Sequence, residues 1–173
     1  IEDERVLAVV GPVFSAPAVV AAVSAEEAGL PLVVPLAQQS GLDSLGGYTF
    51  QLRTTPEVQG RTLGEYATLG LGLRTLVVLA PLTDYGWNFE REFSRVAQAN
   101  GGRVVYRDWY LPDQQKDFKR EFAEIRRVGL ALKPPPADTL GVDSLGTLAP
   151  PQFPIVDAID GMAVVVERFE DAR

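Results

Sequence analysis

The sequence has 173 residues, of which 46% are hydrophobic and 23% charged, a balance typical of a folded protein of one domain or two small ones. Its formal net charge is -7, and no Lys/Arg cluster supplies the concentrated positive charge that nucleic-acid binding requires. It contains no His and no Cys, so it lacks the commonest general base and metal ligand as well as any thiol nucleophile. We therefore predict no catalytic residues, no metal and no cofactor.

Short apolar segments alternate with helical patterns, which is typical of an α/β fold with mostly parallel strands. None of these segments approaches the length of a membrane span, so no membrane insertion is expected. The first, second and fourth predicted strands are almost entirely apolar, as strands buried on both faces are, whereas charged residues in the fifth favour a sheet edge. We predict strands over residues 6–10, 30–35, 48–53, 74–80, 103–110 and 162–166, with regular structure also over 155–160.

Two helices are predicted before residue 75. Ser15 is predicted to cap the first, which ends at Gly29. The second begins at Thr55-Pro56-Glu57, a capping hydroxyl followed by proline and an acid in the first turn, and ends in the glycines at 70 and 72. The first helix is expected to turn its valines toward the core, namely Val19, Val20 and Val23.

Two further helices follow the fourth and fifth strands. One runs from Gly86 to Asn100, and the other is predicted to be capped by Asp117. Aromatic and aliphatic residues at helical spacing indicate the buried face of each. These residues are Phe89, Phe93 and Val96 in the third helix and Phe118, Phe122 and Ile125 in the fourth.

The regular pattern breaks in residues 133–154, which contain six prolines among small and polar residues. Such a stretch is typical of an extended surface insertion or linker, because it lacks the residues that build a packed element. We expect it to be the first part of the chain that a protease cuts.

Several short motifs occur in a fixed order along the chain. Gly11-Pro12-x-x-Ser15 and Pro35-Leu-Ala-Gln-Gln39 each follow a predicted strand, and Asp84-Tyr85-Gly86 follows another. The ordered set resembles the type I periplasmic substrate-binding proteins, in particular the Leu/Ile/Val-binding branch, whose members serve as ligand-binding receptors of ABC transporters. Penicillin-binding-protein activators carry the same fold, so that branch stays open. Further matching motifs are Glu27-Ala-Gly-Leu-Pro31, Tyr48-x-Phe-x-Leu-Arg-Thr54, Gln59-Gly60 and Asp117-Phe118.

The resemblance implies two Rossmann-like lobes with parallel sheets, which close over a ligand by a hinge motion. It places the later part of lobe 1 in residues 1–55 and the first part of lobe 2 in 56–130. Residues 131–154 would be the Pro-rich insertion, and 155–173 the return to a lobe 2 strand and a truncated tail. Since the family's opening elements have no counterpart here, we expect the chain to be a fragment of a longer binding protein.

Ser15 and Ala16 are the first candidate site residues. Ligands of open α/β sheets bind beyond the carboxyl ends of strands, where the N-terminus of a helix offers free N–H groups and partial positive charge. The Ser15 hydroxyl and the following amides are therefore candidates for holding a ligand carboxylate, a role that the resemblance also implies for this serine. The alternative is that Ser15 only caps its helix.

Ala37, Gln38 and Gln39 end the second strand and are expected at the same cleft. In the branched-chain binders this loop takes the amino acid's ammonium and carboxylate groups, and Gln38 stands where a Thr would be expected. Tyr85, after the fourth strand, would cover the ligand from the other lobe. The alternatives are that the loop is an ordinary polar surface loop and that Tyr85 packs on its own helix.

The resemblance implies a non-enzymatic protein that captures a small molecule, an amino acid or a similar anion, for a membrane transporter. The expected location is periplasmic or extracytoplasmic, with a lipid anchor in the full-length protein. One alternative is a ligand-free interaction module whose partner is a cell-wall enzyme, as in the activator-like branch. Another is an enzyme of flavodoxin-like or Rossmann architecture, since that architecture hosts many functions.

Overall fold

The computed structural model of the chain describes residues 6–112, 114–115, 117–133 and 156–166. The predicted Pro-rich insertion lies outside these ranges apart from its first residues. Of these, Ala131 and Leu132 are still helical, because the last helix continues to Leu132. The prediction that a protease cuts first in 133–154 therefore concerns residues that are almost all outside the described structure.

The described strands form two separate parallel sheets, which confirms the predicted α/β class with parallel strands. The first sheet has the order β1-β2-β3, and the second has the order β5-β4-β6. In the first sheet the strands are β1 (Val9–Val10), β2 (Leu32–Val34) and β3 (Thr49–Gln51). In the second sheet they are β4 (Thr75–Pro81), β5 (Arg103–Tyr110) and β6 (Gly161–Val164).

Parallel strands need crossover connections, because the chain must return to the opposite end of the sheet before the next strand begins. An α-helix lies between β1 and β2 and between β4 and β5, whereas β2 and β3 are joined by a loop. A short 3₁₀ turn at Leu42–Ser44 precedes β3, and a π-helical turn at Tyr66–Gly70 continues α2. The helices are α1 (Ser15–Glu27), α2 (Pro56–Glu65), α3 (Asp84–Ala99) and α4 (Lys119–Leu132).

The first sheet corrects the expectation that strand 6–10 is buried on both faces. The strand is only Val9–Val10, and the Val10 side chain is 75% exposed. Among the described residues β1 pairs with β2 alone and so lies at a sheet edge. β2 is the central strand, and its Leu32 and Val34 are buried as predicted.

Helix α1 buries a different face from the predicted one. Val20 is 68% exposed and Val23 is 45% exposed. The apolar residues of α1 are distributed over all of its faces, so the sequence pattern alone cannot indicate which face packs on the sheet. Small alanines face the sheet instead, since they allow a close approach of helix and strands; they are Ala18, Ala22 and Ala25, with Val19 packed beside them.

The second sheet matches its prediction closely. β4 is central and buried, and β5 lies at an edge of the described sheet, as its charged residues indicated. Helix α3 packs Phe89, Phe93 and Val96 inward, as their spacing predicted. Residues 156–160, however, form no regular element before β6 begins.

Helix α4 is also rotated relative to its prediction. Phe118, not Asp117, is its N-cap residue and makes no side-chain capping bond, which corrects the predicted capping role of Asp117. Asp117 lies one residue earlier, and its Oδ1 accepts a hydrogen bond from the Lys119 amide at 2.9 Å. Phe122, however, is 51% exposed, because Glu121 and Gly129 occupy the buried positions of this helix. The segment after the insertion packs on Gly129 through Val156 and Ile159.

Close contact between α2 and α3 depends on two glycines of α2. A methyl group added at Gly60 would lie 2.3 Å from the carbonyl oxygen of Phe89, and one added at Gly64 would lie 3.0 Å from that of Phe93. Residues four apart share one face of a helix, so the two glycines form a smooth surface on which the α3 backbone rests. This packing fixes α2 beside the amino end of α3, where the cleft described below opens.

Candidate ligand-binding cleft

A cleft of about 300 Å³ lies where the loops after β2 and β4 meet. Its volume is at the lower end of the range for small-molecule sites. One side comes from α1 and the loop after β2, and the other comes from the start of α2 and the start of α3. The lining residues are Ser15, Gln38, Gln39, Ser40, Pro56, Thr83, Asp84, Tyr85 and Asn88.

The structure brings together four of the six residues proposed from the sequence: Ser15, Gln38, Gln39 and Tyr85. The other two do not line the cleft. Ala37 is 2% exposed and belongs to the core under α1, while the Ala16 side chain is exposed elsewhere on the surface. Whether the four residues bind a ligand stays a prediction.

Sequence reasoning missed five lining residues, namely Ser40, Pro56, Thr83, Asp84 and Asn88. Local signals were present for most of them: Ser40 continues the predicted loop, Thr83 and Asp84 flank Tyr85, and Asn88 lies one helical turn after Asp84. Pro56 was recognised only as a helix start. Its place in the cleft depends on how the two sheets meet.

The amino end of α1 is not closed by a side chain. Phe14 is the N-cap residue and makes no side-chain capping bond, and Ser15 is the first helical residue, which corrects its predicted capping role. Pro17 has no N–H group, so among the first three helical residues only Ser15 and Ala16 offer a free amide. The partial positive charge of the helix end and the Ser15 hydroxyl therefore face the same region.

The loop after β2 is held in place by the side chain of Gln51 in β3. Gln51 Nε2 donates hydrogen bonds to the backbone carbonyls of Ala37 at 2.9 Å and Gln39 at 3.2 Å. Two carbonyl partners fix the orientation of this amide, since only its nitrogen can donate. Gln38 Nε2 between them is buried and has no hydrogen-bond partner among the described residues.

Ser40 connects this loop to the start of α2. Its hydroxyl donates to the Glu57 carboxylate, with 2.7 Å to each carboxylate oxygen, and the Arg91 guanidinium lies 3.8 Å from Glu57 Oε1. Burial alone would raise the pKa of Glu57. Hydrogen bonds from Ser40, from its own backbone amide and from Thr55, together with the Arg91 charge, outweigh burial and lower that pKa below its usual value of 4.5.

Tyr85 faces the cleft from the start of α3 and is held there by two contacts. Its hydroxyl donates to Gln59 Oε1 at 2.7 Å, and its ring stacks on Phe89 with 6.5 Å between the centroids. Gln59 Nε2 in turn donates to the Thr54 carbonyl at 3.0 Å. The position of Tyr85 is therefore linked to the segment that joins the two sheets.

Asp84 is the one charged residue among those that line the cleft, and none of them is Lys or Arg. Nowhere in the described ranges do three His, Cys, Asp or Glu side chains lie close enough together to hold a metal ion. The described helices also include none with the length and apolar character of a membrane span.

Comparison with solved structures shows the same fold. A substrate-binding protein from Desulfitobacterium hafniense is 25% identical over 74% of this chain, with a TM-score of 0.60. The branched-chain amino acid transporter substrate-binding protein LivJ of Streptococcus pneumoniae, solved with isoleucine, is 26% identical over 70%, with a TM-score of 0.55. An ABC transporter substrate-binding protein from Sphaerobacter thermophilus is 22% identical over 75%, with a TM-score of 0.64.

The chain spans only 34–38% of the length of these three structures. No curated protein sequence matches it. A family model described as "Periplasmic binding protein" matches residues 1–130, three quarters of the chain. This match and the two parallel sheets confirm the predicted fold and the resemblance on which it was based. The chain belongs to the periplasmic binding protein family.

Proposed function

We propose that this chain supplies part of a two-lobed receptor that captures a small carboxylate-bearing solute, such as an amino acid or a related acid, for an ABC transporter. The observation that carries the proposal is that Ser15 in α1, which follows a strand of the first sheet, and Tyr85 in α3, which follows a strand of the second, line one cleft. In this proposal residues 1–55 belong to lobe 1, residues 56–130 and 155–173 belong to lobe 2, and the insertion predicted at 131–154 begins only after α4 ends at Leu132.

The carboxylate would be held at the amino end of α1. The Ser15 hydroxyl and the Ser15 and Ala16 amides are donors there, and the helix end adds partial positive charge. The buried Gln38 Nε2 is a further donor in the loop after β2, and an unpaired buried donor carries a cost that a ligand acceptor would remove. Tyr85 would cover the ligand from the opposite side, where it is already fixed by Gln59.

The partners follow from the family. LivJ of Streptococcus pneumoniae is by its description a transporter substrate-binding protein, and the Desulfitobacterium hafniense relative is an ABC transporter substrate-binding protein. We propose a membrane transporter as the partner and an extracytoplasmic location. The relatives give no support to a cell-wall enzyme as partner, and lipid anchoring stays a prediction.

Substitution of Ser15 and Tyr85 tests this function. Loss of a hydrogen bond to a charged group costs about 1.5–3 kcal/mol, so Ser15→Ala should weaken binding of the cognate solute by about tenfold or more. Tyr85→Ala should weaken it comparably, because the solute would then be exposed to water. Affinity is measured by isothermal titration calorimetry on the full-length protein, after screening the standard amino acids and simple aromatic and aliphatic acids.

Tyr106→Ala provides the matched control. Tyr106 lies on β5, where its hydroxyl donates to Asp108 Oδ2 at 2.7 Å, and it does not line the cleft. Burial, followed by the hydrogen bond and charge of Asp108, raises the pKa of Tyr106 to about 12, so the control removes a neutral side chain at neutral pH. Equal affinity of all three variants and the parent, or no binding of any acid in the screen, would contradict the proposal.

A further inference from the structure

The hydroxyl of Ser40 has only one proton, and that proton is already in use. Both oxygens of Glu57 lie 2.7 Å from Ser40 Oγ. A carboxylate can only accept a hydrogen bond, so Ser40 must be the donor of this pair. The remaining capacity of Ser40 Oγ is that of an acceptor. Since Ser40 lines the cleft, a ligand group beside it meets an acceptor.

Glu57 is kept in the ionised form that this arrangement needs. Arg91 lies 3.8 Å from Glu57 Oε1, and the hydrogen bonds of Ser40, Thr55 and the Glu57 amide lower the pKa of Glu57 in spite of its partial burial. If Glu57 were neutral, it could donate to Ser40 and release the serine proton toward the ligand. The carboxylate therefore sets the direction of the Ser40 hydrogen bond.

Two neighbouring cleft residues, Tyr85 and Asp84, also offer acceptors. The Tyr85 proton goes to Gln59 Oε1, whose amide orientation is fixed because Gln59 Nε2 donates to Thr54 O. Asp84 adds a carboxylate, which can only accept. Ser40, Asp84 and Tyr85 together form what we call the acceptor wall.

We propose that Ser40, oriented by Glu57, is a specificity-determining residue that selects solutes carrying an N–H or O–H donor over otherwise identical acids that lack it. This inference rests on the proposed function and assigns the ligand's second recognition group. The group is an ammonium or a hydroxyl, and the two share the property of donating a hydrogen bond. An acid without a donor would leave the acceptor wall unpaired once water is expelled, which weakens its binding.

The test compares matched pairs of probes by titration calorimetry on the full-length protein. One pair is leucine and 4-methylpentanoate, which differ only in the ammonium group. The other pair is 4-hydroxybenzoate and benzoate, which differ only in the hydroxyl. Any other amino or hydroxy acid that binds in the screen is compared with its deaminated or dehydroxylated analogue. We expect the donor-bearing member of the binding pair to be favoured by about tenfold or more. The identity of that pair distinguishes an ammonium from a hydroxyl.

Two variants then separate recognition from a merely structural role of the Ser40–Glu57 bond. Ser40→Ala should weaken the donor-bearing probe by about tenfold and leave its analogue nearly unchanged. Glu57→Gln keeps the size of the side chain but can donate to Ser40, so it should also reduce the preference. Glu92→Gln is the control, because Glu92 lies near the same Arg91 at 3.9 Å but is not bonded to Ser40.

The outcomes distinguish this inference from the proposed function. Equal binding of a probe and its analogue by the parent protein, or equal weakening of both by Ser40→Ala and Glu57→Gln, would overturn the role of Ser40 and leave solute capture standing. If no acid binds the parent protein, both proposals fail. Loss of the preference in both variants with an unchanged control is the supporting result.

Discussion

Asp160 joins two parts of the second sheet that are 85 residues apart in the chain. Its Oδ2 accepts hydrogen bonds from the backbone amides of Arg74 and Thr75, each at 2.8 Å, and its own amide donates to the Thr75 carbonyl at 2.8 Å. These two amide hydrogen bonds, only partly opposed by burial, lower the pKa of Asp160 below its usual value of 3.8. This one residue therefore sets where β6 enters the sheet beside β4.

Replacing Asp160 with Asn should destabilise the protein by about 1 kcal/mol at neutral pH, a modest value because the site is exposed and screened. The folded pKa lies below the unfolded pKa, so the contribution of the carboxylate is complete above the unfolded value and is lost as the pH falls through the folded value. The stability difference between parent and variant should therefore shrink below about pH 3.8. Urea denaturation across pH measures it, with Asp43→Asn at an exposed position as control. A difference that stays constant down to pH 2 would contradict this account.

The candidate site could be predicted in part because the sequence pattern indicates where strands end. Ser15, Gln38 and Tyr85 follow apolar strands directly, so their place at the carboxyl ends of the strands follows from the alternation of elements. Ser40 and Pro56 could not be placed in the same way. Ser40 enters the cleft because of its bond to Glu57, and that contact depends on how the loop after β2 meets α2.

At the scale of elements, the strands and helices with strong periodicity or clear end signals were predictable. β5 has the predicted bounds, and α2 begins at Pro56 with Thr55 as its cap. The face that α1 buries was not predictable, because a helix with apolar residues all round has no preferred side. The alanines of α1, and not Val20 and Val23, pack on Leu32 and Val34 of β2. This packing depends on the distance between helix and sheet, which exists only in the folded protein.

The contact between α2 and α3 gives a sharp test at this scale. Alanine favours a helix over glycine by about 1 kcal/mol. At Gly60, however, the added methyl would lie 2.3 Å from the Phe89 carbonyl oxygen, and backbone cannot move aside as a flexible side chain can. Overpacking of this kind costs about 1–3 kcal/mol or more, so the clash should win and Gly60→Ala should lower the free energy of unfolding.

Urea denaturation measures this effect, with Gly47→Ala as the control. Gly47 is exposed, and an added methyl would meet nothing within 4 Å there. Unchanged or increased stability of Gly60→Ala would mean that α2 and α3 can move apart without a cost in free energy, and would contradict the role assigned to the glycines of α2.

At the scale of the whole molecule, the first sheet exposes apolar side chains near β1. Leu7 is 84% exposed, Val10 75% and Phe14 75%. An edge strand with apolar residues is a template for pairing with another chain. The 173-residue chain studied alone should therefore self-associate as its concentration rises, and light scattering after size-exclusion chromatography measures this.

Val10→Lys should reduce the self-association without lowering the melting temperature, because a charge on an exposed edge opposes pairing. Leu36→Lys, at a position that is 50% exposed in the loop after β2, is the control. A monomer at every concentration tested, or an equal effect of the two lysines, would contradict the role assigned to the β1 edge.

The strand order β5-β4-β6 has a consequence for folding during synthesis, because the strands leave the ribosome in chain order. The central strand β4 can pair with β5 once Tyr110 has emerged, but β6, its other neighbour, begins only at Gly161. At about 5–20 residues per second, the growing chain carries an unpaired β4 edge for several seconds. During that interval the backbone N–H and C=O groups of β4 that will pair with β6 have no partner. An unpaired strand edge of this kind can pair with another nascent chain or be bound by a chaperone.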